Sequence, residues 1–250
     1  MRVPTVIPTL RLLLLTALTL LLAGCPTLGG NSVARVSSDY AASVKKAGLL
    51  SLLDDRIYVS YLTSSAQESF FSQAPLGGWD IDQQVMKTVG AKLQRRGMTV
   101  VPIERTEALM KAYDSDFGYA RTERIHAELD RLGAELGLDM VVLVARNNDS
   151  DRVTHTVQNI RGYGLQKAFD TGPFAYATIY VEAYDTRQHF VVGRASGFQS
   201  SPLPPELWQS SFETSKGDIS LPASIHEGVG QVLRKVLYDA IAIAAQESGI

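Results

Sequence analysis

Hydrophobic positions in this chain follow three patterns: one unbroken run, several stretches spaced by three and four, and several that alternate. The unbroken run is the leucine-rich segment 12–23, which follows Arg2 and Arg11 and closes on Gly24-Cys25. At about 1.5 Å per residue it reaches roughly 18 Å, short of the roughly 30 Å hydrocarbon core of a bilayer. A membrane span is therefore disfavoured, and the order of charge, apolar run and small residues is that of a secretory signal over residues 1–24.

Past the signal, residues 25–54 are expected to form the N-terminal segment, with a tether over 31–39 and a short helix over 40–53, broken or ended near Gly48. Residues 55–250 are expected to form a single α/β domain. Ile57, Val59 and Tyr61 alternate with Tyr58 and Ser60, which predicts a first strand over 56–62. Residues 63–78 are polar and punctuated by Gly and Pro, hence loop. Ile81, Val85, Met86, Val89 and Leu93 recur at helical spacing after Asp80, a candidate cap, and Gly97 supplies the stop. A strand over 98–103, cut short by Pro102, comes next. A short helix over 106–113 precedes a stronger one from Thr122, with Ile125, Leu129, Leu132 and Leu136 on one stripe and Gly137 beyond it. The apolar run 140–144 predicts a strand buried on both faces.

The grammar then changes to hairpins. Residues 152–160 form a weak strand and 162–172 a loop. Residues 174–184 alternate most strongly: Ala175, Ala177, Ile179, Val181 and Ala183 take one face, and Tyr176, Thr178, Tyr180, Glu182 and Tyr184 the other. A turn at 185–188 returns 189–196 as the antiparallel partner. Residues 200–220, with Pro202, Pro204 and Pro205, are a long irregular excursion. Ile225, Val229, Leu233, Val236, Leu237, Ala240 and Ile241 predict a long closing helix over 224–245. The expected fold class is α/β (α+β): a mixed sheet from strand-helix-strand-helix-strand, then an antiparallel hairpin and a C-terminal helix packed on the sheet.

Composition narrows the setting. Residues 25–250 carry 22 basic and 26 acidic side chains, a formal −4, which is no nucleic-acid footprint. Cys25 is the single cysteine, so no disulfide can form within the chain. Leu22-Ala23-Gly24-Cys25 closely resembles the lipobox of bacterial lipoproteins. That resemblance implies cleavage between Gly24 and Cys25, diacylglyceryl attachment to the Cys25 sulfur and acylation of the new N-terminus. Pro26 stands where aspartate would favour inner-membrane retention, so the expected location is the outer membrane, facing the periplasm.

Candidate chemistry is sparse. His126, His155, His189 and His226 lack zinc-ligand spacing, and no metal or cofactor is expected. No nucleophile elbow, phosphate loop or dinucleotide fingerprint occurs; Gly162-Tyr163-Gly164 lacks the third glycine. Asp114-Ser115-Asp116 and Asp149-Ser150-Asp151 lack the glycine and glutamate of a calcium loop and read as solvated turns. Tyr176, Tyr180 and Tyr184 are the main surface candidate. They either pack under a helix or in cross-strand pairs, or face solvent and join the 202–208 loop, with Trp208, as a partner surface.

Beyond the lipobox, the pattern Asp82-x-x-Val85-x-x-x-Val89-x-x-x-Leu93-x-x-Arg96-Gly97, then Val100-Val101-Pro102, then Leu132 to Asp139 before a hydrophobic strand, forms a familiar order. It resembles the α/β module of curli-secretion lipoproteins, penicillin-binding-protein activators and the amino-terminal domain of TolB. The resemblance implies a largely non-catalytic periplasmic accessory or scaffold that contacts envelope proteins, sometimes as a homo-oligomer. An envelope hydrolase with a spatially assembled site and a small-ligand binding module are the alternatives.

Overall fold

The computed structural model describes residues 34–64, 69–114, 119–150, 153 and 159–250. Its helices are α1 (Ser38–Ser43), α2 (Ile81–Val85) and α3 (Ala91–Arg95), which are joined by a π turn at Met86–Gly90, then α4 (Glu107–Asp114), α5 (Tyr119–Leu136) and α6 (Ala223–Glu247). Its strands are β1 (Lys46–Ser51), β2 (Arg56–Leu62), β3 (Phe70–Pro75), β4 (Thr99–Ile103), β5 (Met140–Arg146), β6 (Asn148–Ser150), β7 (Asn159–Arg161), β8 (Tyr163–Ala168), β9 (Phe174–Asp185), β10 (Phe190–Pro202) and β11 (Gly217–Asp218).

The long hairpin β9–β10 is the axis of a nine-stranded mixed sheet. Along its other edge β9 is shared: Phe174 to Ala177 pair with β8, and Ile179 to Asp185 pair with β5. Two wings therefore diverge from one strand. One runs β8-β2-β3-β11 and the other β5-β1-β4, the latter all parallel. Backbone groups at the fork satisfy one another, since Asn147 N–H donates to Thr178 O, Thr178 N–H to Gly162 O and Gly162 N–H to Asn147 O.

The expected architecture forms, with corrections to individual elements. Residues 46–51 are a strand at the centre of a wing, not the second half of a helix. Leu49 and Leu50 are both buried but belong to clusters on opposite faces of the sheet, which a strand allows. Ala34 already bridges to Arg194 on β10. Residues 34–54 thus belong to the fold, and the domain does not start at 55. Residues 70–75 and 163–168, expected as loop, are β3 and β8. The weak strand expected over 152–160 lies largely outside the described residues.

Each face of the sheet has its own core. On one, Ile57, Val59, Leu165, Ala177, Ile179 and Val181 pack against Val229, Leu233, Val236, Ala240 and Ala244 of α6 and against Val85, Val89 and Leu93. On the other, Val141, Leu143, Ala145 and Tyr184 pack against Leu109, Ile125, Leu129 and Leu132 of α4 and α5. At roughly 1.5–3 kcal/mol for each fully buried large aliphatic side chain, these layers dominate stability in a chain without cross-links. No helix among the described residues is long and apolar enough to cross a membrane.

Candidate functional site

Cys25 and Gly24 lie outside the described residues. The three tyrosines of β9 do share the face opposite α6, as the alternation requires, but they do not form an exposed stripe. Tyr184 is buried beneath α5, its ring stacked on His126 at 4.4 Å between centroids. Tyr176 is buried beside Ile160 and Phe174, and its hydroxyl donates to Arg161 O at 3.2 Å. Tyr180 is half-buried, and its hydroxyl donates to Glu182 Oε2 at 2.5 Å. The partner surface expected on these three residues is corrected accordingly: α5 and the β6–β7 hairpin cover the face.

Trp208 stands on the other side of the sheet, packed against the α6 core, so it cannot join the tyrosines. Its indole N–H donates to Glu213 Oε1 at 2.9 Å, and its ring meets Phe212 edge-on at 5.3 Å. Lys167 Nζ donates to the same Glu213 oxygen at 2.6 Å and lies 5.9 Å from the Trp208 ring centroid. These bonds tie the 202–213 excursion to β8.

Under α5 lies a polar cluster built around the buried Glu182. Glu182 accepts from Tyr180 through one oxygen, and its other oxygen is 2.7 Å from His126 Nε2. Arg194 is its cross-strand partner on β10. One helical turn along α5, Asp130 meets His189 Nδ1 at 2.8 Å. Burial raises the Tyr184 and Tyr180 hydroxyls well above the ordinary phenol range; Asp130 adds to this at Tyr184 and Glu182 at Tyr180. Both oxygens of Glu182 are engaged, and the two His–carboxylate pairs bridge α5 to the hairpin. The arrangement holds a helix on a sheet. His226 lies on α6 and His155 outside the described residues, so the described histidines do not gather. No group of three His, Cys, Asp or Glu among the described residues is placed to hold a metal ion.

The open part of this face lies over the other wing. Register puts Gln73, Tyr58, Gly164 and Tyr176 in one row across β3, β2, β8 and β9. Phe71 and Ser60 pair in the next row, and Phe71 remains 47% exposed. With Arg161 as a wall, Tyr58, Ser60, Phe71, Gln73 and Tyr176 line a groove of about 650 Å³, a volume suited to a small molecule or a short peptide stretch. Sequence reasoning missed this groove because β3 and β8 read as loops. Gly164, read there as a failed phosphate motif, instead lets β8 close on the Tyr58 backbone.

Two buried or bridged carboxylates set the acid limit of the fold. The Lys167 ammonium bonded to Glu213 holds that carboxyl below its ordinary range, with the Trp208 N–H assisting. Burial pulls Asp185 upward, but donation from Arg187 and from the Arg187 and Gln188 backbone N–H groups outweighs it, and the net direction is down. Groups depressed in the folded state stabilise it above their unfolded values near pH 4, and that stability is lost as pH falls through the folded values. Thermal melting should therefore shift downward as pH falls below about 4, and Glu213→Gln should flatten part of that slope. A variant with an unchanged slope would contradict the assignment.

No protein-family model and no curated relative matches the chain. Among solved structures it is similar to lipoprotein GNA1162 from Neisseria meningitidis, with 13% identity over 68% of this chain and 90% of that one, and a TM-score of 0.32. Protein XCC0632 from Xanthomonas campestris aligns at 10% identity over 87% and 89%, with a TM-score of 0.36. The LpoB C-terminal domain from Salmonella enterica aligns at 8% identity over 68% and 87%, with a TM-score of 0.26. Likeness at this level says nothing about what this chain binds.

Proposed function

We propose that this chain is a bacterial envelope lipoprotein, anchored to the outer membrane through acyl chains on Cys25 and facing the periplasm. Its folded body acts as a non-catalytic scaffold or accessory for other envelope proteins. The observation that carries the reading is Leu22-Ala23-Gly24-Cys25 at the end of a leucine-rich run too short to span a bilayer. Tethering raises the effective concentration of the body for partners in the same layer, so weak contacts suffice.

The fold supports that economy. The titratable groups around Glu182 hold α5 to the sheet, and the aromatic-floored groove offers contact surface. Mild crosslinking of whole cells producing the chain, followed by purification from membranes, should yield adducts with other envelope proteins. Turnover of peptidoglycan or ester substrates by the purified protein, with no adducts, would replace the scaffold with a hydrolase.

A further inference from the structure

The first described residues and the last helix meet at one end of the domain. Val36 N–H donates to Ser248 O at 2.9 Å, and Gly249 lies against the Val36 backbone. Four cations gather there. Arg35 Nη2 donates to Gln246 O at 3.0 Å, Arg96 Nη1 to Gly249 O at 2.7 Å and Lys92 Nζ to Ile250 O at 3.4 Å, with Arg95 beside them. Burial and then the charges of Arg95 and Arg96 lower the Lys92 pKa, a sign of crowded positive charge. Arg35 and Arg96 are exposed and line one cleft of about 490 Å³ with Ser38, Ala42 and Gly249. A guanidinium carries five N–H donors, so one carbonyl bond each leaves donors for a ligand. Two exposed carboxylates, Asp39 and Glu247, stand on the same segments, and the Ile250 oxygen that Lys92 meets offsets further charge, but the four cations outnumber these anionic groups.

Where the chain comes from decides what this charge meets. Ala34 is nine residues past Cys25, which even fully extended is a span of at most about 32 Å. Any membrane holding Cys25 is therefore within short reach of the Arg35 end of the domain.

We propose that this face binds the anionic headgroups of a phospholipid bilayer surface, with one headgroup phosphate held between Arg35 and Arg96. The inference rests on the Cys25 anchor for its proximity but reads a different part of the molecule. Guanidinium forks match phosphate oxygens in pairs, and Lys92 and Arg95 add attraction that salt screens. The face would fix how the tethered body is oriented, which lipid on a short chain alone does not.

Mature protein isolated from membranes tests this in phosphatidylcholine vesicles with and without phosphatidylglycerol. Flotation with the vesicles reads the anchor, and amide hydrogen exchange over residues 35–43 and 92–97 reads the face. Exchange there should be roughly tenfold slower with phosphatidylglycerol present, the gain vanishing in about 1 M salt. It should vanish also in Arg35→Gln/Arg96→Gln, whose melting temperature shows whether it is folded; the salt arm needs no variant. Equal exchange in the two vesicle types while the protein floats with both would overturn the proposal. So would equal protection from inorganic phosphate without vesicles. Failure to float on phosphatidylcholine would instead sink the anchor, and flotation confined to phosphatidylglycerol vesicles would still support the face.

Discussion

A Cys25→Ser chain takes up no labelled palmitate and keeps its first 24 residues. Both outcomes follow from one atom, because the cysteine sulfur is the acyl acceptor and its modification precedes cleavage in the lipobox reading. Each buried methylene contributes about 0.8 kcal/mol, so several acyl chains hold a protein far beyond the marginal hold of one. Removing the sulfur removes all of that at once. The fold itself should be unaffected, since the first described contact, Ala34 with Arg194, lies nine residues further on. Label incorporation into the immunoprecipitated chain is the readout, and label persisting in the serine variant would contradict the reading.

Gly197→Val is expected to damage the fold severely. Gly197 sits on β10 where α6 crosses, and a Cβ there would press into the Ala240 carbonyl oxygen and lie 2.7 Å from Ala244 N. Both are helix backbone, so no side chain can rotate aside. The variant must lift α6 from the sheet, exposing Leu237, Ala240 and Ala244, or strain the hairpin axis from which both wings diverge. A loss of about 3 kcal/mol or more is expected, a drop of about 10 °C in melting temperature for a domain of this size. Gly172→Ala, with open space around it, is the matched control and should melt as the parent does. Parent-like melting of Gly197→Val would mean that α6 does not pack as described.

How legible each element was depended on whether its cause is local. The α2–α3 helix, α5, α6, β5 and β9 could be read because their periodicity is set by the core each one faces. Lys46–Ser51 could not. Its Leu49 and Leu50 fit a helical stripe as well as a strand, and its pairing partners, β4 and β5, lie about 50 and 90 residues away. Gly164 reads as a loop residue by itself, and its strand role depends on the approach of Tyr58. The tyrosine face of β9 was read correctly as a face. What covers it, α5 at one end and β6–β7 at the other, is tertiary information; replacing all three tyrosines by serine is expected to damage packing.

The anchored-body account meets its most direct test in the mass of the N-terminal peptide from protein taken out of membranes. The account predicts a peptide beginning at Cys25 and heavier than its sequence by a diacylglyceryl group and an N-linked acyl chain. An unmodified Cys25, or a mature chain beginning at any other residue, would contradict it.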